Sequence, residues 1–190
     1  MNPSLLKKVT LASAFVALSA VSQLAQADFE GYYHLGLGNW TFLTEGDSSI
    51  DINNEPVSVS LTSNNNDEPN LNADLTIAAQ AAGTVSFSWV FDTLDIDGAA
   101  HDPFGYLLNG FFVQLSDQNG SSQSGTFSFA VDANDVFGFR ANSLDGLGGR
   151  AVTTVSNFAA PGNGVPEPGT LALFGLALAG LATIRRKHQG

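Results

Sequence analysis

Between residues 28 and 160 the chain alternates apolar and polar positions with a period of two. No stretch of helical length there repeats apolar residues with a period near 3.6. The clearest segment is Thr84–Phe91, in which every second residue is large and apolar. Successive side chains of a strand point to opposite faces, so this segment predicts a half-buried strand. Its inner face would consist of Val85, Phe87, Trp89 and Phe91.

The same period recurs in further short segments separated by Gly, Asn and Asp. Asn109-Gly110, between two of them, is typical of a tight hairpin turn. About eight to ten short strands at this spacing predict an all-β domain over residues 28–160, an antiparallel β-sandwich or jelly roll. The remaining predicted strands are Tyr32–Leu37, Trp40–Thr44, Val57–Thr62, Leu75–Ala78, Tyr106–Leu108, Phe111–Leu115, Phe127–Val131, Phe137–Phe139 and Ala151–Asn157.

Polar and glycine-rich segments separate these strands. Ser48–Pro56 and Ser63–Asn72 are rich in Asn, Asp and Ser, so we expect both to be loops, and we expect Asn64–Pro69 to bury almost nothing. Leu144–Gly149 contains three glycines and predicts a flexible hairpin tip.

Charge and composition exclude several functions. The stretch from 28 to 164 holds seventeen acidic residues against Arg140 and Arg150, which gives a formal charge of −15. So acidic a surface repels phosphate backbones and argues against nucleic-acid binding. The chain has no cysteine, so disulfides, thiolate metal sites and a cysteine nucleophile are excluded. Fourteen phenylalanines supply core volume instead.

The N-terminus has the organisation of a secretory signal peptide. Lys7-Lys8 precedes the apolar run Val9–Val21, and Ala25-Gln26-Ala27 forms an A-x-A site. We therefore expect signal peptidase to remove residues 1–27, cutting between Ala27 and Asp28. The alternative is a membrane anchor, but the apolar run is too short to span a bilayer comfortably.

The C-terminus carries a second signal. A linker over 161–170 contains Val165, Pro166, Glu167 and Pro168, and an apolar helix is predicted over 171–184. Fourteen residues at ~1.5 Å each reach roughly 21 Å, short of the ~30 Å hydrocarbon core, so we expect transient membrane insertion. The basic residues of 185–190 would stay on the cytoplasmic side.

Pro-Glu-Pro, a short apolar helix and a closing basic cluster, in this order, resemble the PEP-CTERM sorting signal of bacterial exosortase substrates. The match covers roughly residues 164–188, and the run from Gly83 to Pro161 is similar to the β-rich ectodomain of many such proteins. The resemblance implies export across the inner membrane and recognition of Pro166-Glu167-Pro168 by an exosortase. It also implies release to the envelope, outer surface or extracellular matrix, where biofilm exopolysaccharide would be a partner. The alternative is a tail anchor with a proline-rich stalk.

The densest acidic cluster follows the best predicted strand. Calcium takes about six to eight oxygen ligands, and aspartates at alternating positions suit it. The candidate ligands do not follow the EF-hand spacing, and a solvated acidic loop is the alternative interpretation. These candidates are Asp92, Asp95, Asp97 and Asp102.

Aromatic residues offer a route to carbohydrate. Trp89 alternates with two phenylalanines and is expected in the core, whereas Trp40 follows Gly38-Asn39 and is the candidate for an exposed sugar platform. Neither G-x-S-x-G nor H-E-x-x-H occurs, and His101 is expected at a turn. The sequence favours a surface protein without catalysis. The alternatives are a calcium-dependent carbohydrate-binding module and, third, a secreted hydrolase with paired carboxylates near His101.

Overall fold

The computed structural model describes residues 28–162, which form two packed five-stranded sheets. Two short 3₁₀ turns precede the first strand, at Gly31–Tyr33 and Leu35–Leu37. The strands are β1 Thr41–Thr44, β2 Ser49–Asp51, β3 Ser58–Thr62, β4 Leu71–Ala78, β5 Gly83–Thr93, β6 Phe104–Leu108, β7 Phe111–Gln114, β8 Ser122–Val131, β9 Val136–Ser143 and β10 Ala151–Ala159.

The two sheets are antiparallel and the chain passes repeatedly between them. The order is β1-β4-β9-β6-β7 in sheet I and β2-β3-β10-β5-β8 in sheet II. Such crossings produce a jelly-roll-like sandwich, in which both inner faces share one core. The predicted all-β antiparallel sandwich is therefore confirmed.

Strand β5 shows how the sequence pattern produces the core. Its inward residues Val85, Phe87, Trp89 and Phe91 are buried, while its outward residues are mostly serine, threonine and valine. The aromatic rings of the two sheets interlock, with Phe87 and Phe139 at 4.8 Å between ring centroids. The predicted inner face of this strand is confirmed, and Trp89 lies in the core as expected.

The segment Tyr32–Leu37 is not a strand but two 3₁₀ turns. Gly31 (φ 58°) and Gly38 (φ 76°) adopt left-handed conformations that bend the chain at both ends of this segment. Tyr33 and Leu35 are buried, so the alternate burial that suggested a strand is real. Two consecutive turns produce the same burial pattern as a short strand, and the prediction was wrong for that reason.

The two polar segments are more ordered than their composition predicts. Residues 49–51 form β2 against β3. Ser63 and Asn64 are fully buried. The Asn64 amide accepts a hydrogen bond from the Asp47 backbone N–H at 3.0 Å and donates one to the Glu68 carbonyl at 2.9 Å. The expectation that Asn64–Pro69 buries almost nothing was therefore wrong for Asn64, whose polar groups are satisfied inside the fold, whereas Asn66–Pro69 is exposed as expected.

The segment Leu144–Gly149 joins β9 of sheet I to β10 of sheet II, so it is a crossover between sheets and not a hairpin tip. By contrast, Asn109-Gly110 does connect the paired strands β6 and β7, with φ of 51° and 84°. Two left-handed residues match the twist of a tight hairpin. That prediction is confirmed.

The predicted terminal signals lie outside the described residues: Ala25 and Ala27 of the cleavage site, the motif Val165–Pro168, the helix 171–184 and the tail 185–190. Within residues 28–162, no helix has the length and apolar character needed to cross a membrane.

Candidate functional site

The outer face of sheet II carries a groove of about 470 Å³, which we call the hydroxyl groove. It lies where β5, β8 and the end of β10 meet. Its outward side chains are small and hydrogen-bonding, and two phenylalanines also line it. The lining residues are Ser86, Phe87, Ser88, Thr126, Phe127, Ser128 and Asn157.

Strand register creates the groove. Ser86 pairs with Ser128 and Ser88 pairs with Thr126, so four hydroxyl-bearing residues face outward side by side on β5 and β8. Neighbouring strands lie about 4.8 Å apart, and serine is too short to fill the space above such a sheet. The alternation that directs Phe87 into the core therefore leaves hydroxyl groups and open volume outside.

A β-bulge in β10 completes one side of the groove. The register between β10 and β5 shifts between Ser156 and Ala159, and Asn157 adopts a left-handed conformation with φ of 49°. Bulges redirect side chains next to functional sites. Here the Asn157 amide donates to the Ser88 hydroxyl at 3.1 Å, which brings an amide to the lining hydroxyls.

Sheet II is almost uncharged although the domain is strongly acidic. Its five strands contain two charged residues, Asp51 on the edge strand β2 and Asp92 near the end of β5. The hydroxyl rows continue beyond the groove, where Ser60 and Thr154 lie 2.9 Å apart. The sheet therefore offers a neutral hydrogen-bonding surface.

A second cluster lies between β5 and β6, where loops 94–103 and 144–150 meet. Asp102 and Asp95 are 1% and 7% exposed, and the Thr93 hydroxyl donates to Oδ2 of Asp102 at 3.2 Å. Oδ1 of Asp95 accepts the Asp97 backbone N–H at 2.7 Å. Burial raises the pKa of Asp102 from 3.8 to about 6, and neighbouring hydroxyl groups oppose that rise.

The four predicted calcium ligands are not brought together as one set. Asp92 lies on the outer face of β5 opposite Ser122, and Asp97 is exposed. Among residues 28–162, no group of three or more His, Cys, Asp or Glu side chains is arranged to hold a metal ion. The alternation of β5 places Asp92 on its outer face, and of the four aspartates only Asp95 and Asp102 are buried. The prediction that all four form one calcium site was therefore wrong.

The prediction of an exposed Trp40 was also wrong. Trp40 is 4% exposed and packs among aromatic rings, with Phe158 at 5.8 Å between centroids. Its indole N–H donates to the Tyr33 carbonyl at 2.8 Å. The turn at Gly38 directs the indole inward, so it cannot stack on a sugar.

Around His101, the imidazole Nδ1 lies 3.1 Å from Oδ2 of Asp145, and both side chains are partly exposed. The nearby carboxylates of Asp95 and Asp102 are buried instead of lining an open cleft. A glycosidase needs two carboxylates flanking a bound sugar, and this arrangement does not supply them.

Sequence reasoning did not single out the groove residues. The serines of β5 and β8 were visible only as the polar half of an alternating pattern, which every half-exposed strand has. The position of Asn157 beside the groove results from the bulge, and the bulge depends on how β10 pairs with β5.

Several solved carbohydrate-binding modules resemble the fold. They include a family 22 module of Clostridium thermocellum Xyn10B (16% identity, 73% of this chain, 98% of that chain, TM-score 0.39). A family 29 module from Piromyces equi aligns at 13% identity over 63% of this chain and 81% of its own, with a TM-score of 0.36. A CBM35 from Cellvibrio japonicus Abf62 aligns at 17% identity over 66% and 99%, with a TM-score of 0.33. At these values the likeness carries no conclusion about ligands.

For the C-terminal segment, the relationship to known proteins rests on a family model and not on a structural likeness. No curated protein matches the chain. Residues 164–187 match the family model of the PEP-CTERM protein-sorting motif, which contains the predicted Pro166-Glu167-Pro168 and the apolar segment after it. This motif directs export and exosortase-dependent sorting to the cell surface. The chain is therefore a PEP-CTERM domain-containing protein.

Proposed function

We propose that the exported β-sandwich binds a neutral polysaccharide of the cell envelope or extracellular matrix through the hydroxyl groove, without catalysis. The observation that carries this proposal is an open groove of about 470 Å³ lined by serine, threonine and asparagine side chains. Hydroxyl and amide groups both donate and accept hydrogen bonds, as sugar hydroxyls do. The sorting signal delivers the domain to the compartment where such polymers occur.

Charge favours a neutral polymer. The domain has a formal charge of −15, so an anionic polysaccharide would be repelled at low ionic strength. Among the described residues, none of those that line the groove is charged. A neutral glycan avoids that repulsion and exchanges its bonds to water for bonds to the groove.

The groove supports binding and not hydrolysis. General acid–base catalysis needs a titratable side chain within hydrogen-bond reach of the scissile bond. The lining residues, all within 28–162, include no carboxylate, histidine or lysine. A bound glycan would be held there without a group to protonate its leaving oxygen.

Native electrophoresis of the full chain in a non-ionic detergent tests this proposal. Gels would contain a soluble β-glucan, xylan or mannan, with alginate as the anionic comparison. We expect at least one neutral polymer to retard the protein and alginate to have no effect. Thr126→Glu should weaken the retardation about tenfold or more, because the added carboxylate fills the groove and loses solvation when a glycan covers it.

The matched control is Thr41→Glu. Thr41 is an exposed threonine on β1, the edge strand of sheet I, as Thr126 is on β8, the edge strand of sheet II. This variant has the same charge but an intact groove, so it should migrate like the wild type. Equal loss in both variants, or no retardation by any neutral polymer, would contradict the proposal.

Processing should depend on the sorting motif. We expect Glu167→Ala or Pro168→Ala to leave export intact but to retain the C-terminal segment, because the export and sorting signals lie at opposite ends of the chain. Mass spectrometry of the exported protein measures the mature C-terminus, and Asn163→Ala in the linker is the control. An unchanged C-terminus in the motif variants would show that exosortase does not read these residues.

A further inference from the structure

Two buried carboxylates at one end of the sandwich have oxygen atoms without partners. Oδ2 of Asp95 and Oδ1 of Asp102 are both inaccessible to solvent, and within the described residues no donor meets hydrogen-bond geometry with either atom, although the Ser63 and Ser143 hydroxyls lie close enough to Asp102 to lower its pKa. The two side chains are connected through Thr93, whose hydroxyl donates to Asp102 and accepts the Asp95 backbone N–H at 3.0 Å. A buried polar atom without a partner requires a physical explanation, such as a missing ion.

Within the part of the chain that the structure describes, no cationic side chain neutralises this pair. Among residues 28–162, Arg140 pairs with Asp74 and Arg150 pairs with Asp47. His101 lies against Asp145. The Asp95 carboxylate instead repels that of Asp102. Two adjacent buried carboxylates without a counterion are costly, so the site requires either protons or a bound cation.

Uncharged hydroxyl groups surround the Asp102 carboxylate. The hydroxyls of Ser63 and Ser143 lie beside the Asp102 carboxylate, on segments that follow β3 and end β9. Each of these hydroxyls already accepts a backbone N–H, from Ala151 at 2.9 Å and from Gly146 at 3.1 Å. Side-chain oxygens from three segments that are distant in sequence therefore lie around the Asp102 carboxylate.

We propose that Asp95 and Asp102 form a calcium site that holds together the segment following β3, the loop between β5 and β6, and the end of β9. The two unpartnered carboxylate oxygens supply the charge, and hydroxyl, carbonyl or water oxygens complete the shell. Calcium accepts such a mixed set because it takes about six to eight oxygens in flexible geometry. Magnesium suits the site less, because it demands near-octahedral geometry and gives up water reluctantly.

Thermal unfolding of the full chain in a non-ionic detergent tests the site after treatment with EDTA and dialysis. At free calcium about a hundredfold above its dissociation constant, the midpoint should rise by roughly 5–10 °C. Magnesium should raise the midpoint less than calcium does. Sodium chloride of matched ionic strength should change the midpoint only by screening the repulsion between surface charges. Isothermal titration calorimetry with calcium should give one ion per chain.

Variants distinguish a specific calcium site from the general effect of cations on an acidic protein. Asp95→Asn and Asp102→Asn should each abolish the calcium-specific rise. The matched controls Asp92→Asn and Asp97→Asn remove the same charge from exposed positions in the same segment. Both controls should retain the calcium-specific rise of the unfolding midpoint. Equal shifts from calcium, magnesium and sodium would overturn the proposal. So would loss of the rise in Asp97→Asn, or no calcium binding to the wild type by calorimetry.

Discussion

Trp40→Ala is expected to lower the free energy of unfolding by about 3–5 kcal/mol, the range for removing a large aromatic side chain from a core. Trp40 is 4% exposed, and its ring lies 6.0 Å from Phe29 and 6.3 Å from Phe137, centroid to centroid. The substitution leaves a cavity between both sheets and removes the hydrogen bond to the Tyr33 carbonyl. Urea unfolding followed by circular dichroism measures the loss.

Phe42→Ala is the control for this prediction. Phe42 lies two residues away on β1 and is 42% exposed, so its truncation should cost about 1 kcal/mol or less. Trp40→Ala should also retain retardation by neutral polysaccharide well below its midpoint, because the groove lies on the outer face of sheet II. A small effect on stability together with lost retardation would restore Trp40 as a sugar platform.

The second large effect concerns Asp102 in calcium-free solution. Its pKa is raised to about 6 in the folded protein, above the 3.8 expected when the side chain is solvated. The folded state therefore binds the proton more tightly than the unfolded state does. The stabilising contribution is fully present below about pH 3.8 and is lost as the pH rises through about 6. Raising the pKa of Asp102 from 3.8 to about 6 corresponds to roughly 3 kcal/mol.

Asp102→Asn isolates this contribution, because other carboxyls also titrate. Hydrogen bonds from Asn109 and from the Asp132 backbone lower the pKa of Asp135, whose contribution has the opposite sign and is lost as the pH falls. In EDTA, Asp102→Asn should be more stable than the wild type at pH 7–8, and the difference should shrink toward pH 4. Asp97→Asn should follow the wild type. An unchanged difference across this range would contradict the raised pKa of Asp102.

Much of the sandwich could be predicted because each strand carries its own signal. The alternation from Val85 to Phe91 identified the inner face of β5 without reference to any partner strand. The hairpin at Asn109-Gly110 could also be predicted from local sequence, since two residues in the left-handed conformation suffice for that turn. Where two local structures bury the same residues, as at Tyr33 and Leu35, the pattern did not distinguish them.

The candidate sites were less predictable because they depend on contacts between distant segments. Asp95 and Asp102 were singled out together with Asp92 and Asp97, but only the fold separates the inward pair from the outward pair. Ser63 joins that pair from roughly thirty to forty residues away in sequence, in a segment expected to be a loop. The groove likewise requires the register of β5 with β8 and the bulge at Asn157.

The sequence by itself determined the class of fold, the strong negative charge and the sorting signal at residues 164–187, because each depends on composition or on residues close together in the chain. Only the tertiary structure decided that Trp40 is in the core, that Ser86, Ser88 and Asn157 meet in one groove, and that Asp102 is enclosed. These outcomes depend on strand pairing across many tens of residues. That pairing follows from the combined packing of both sheets, which no local pattern encodes.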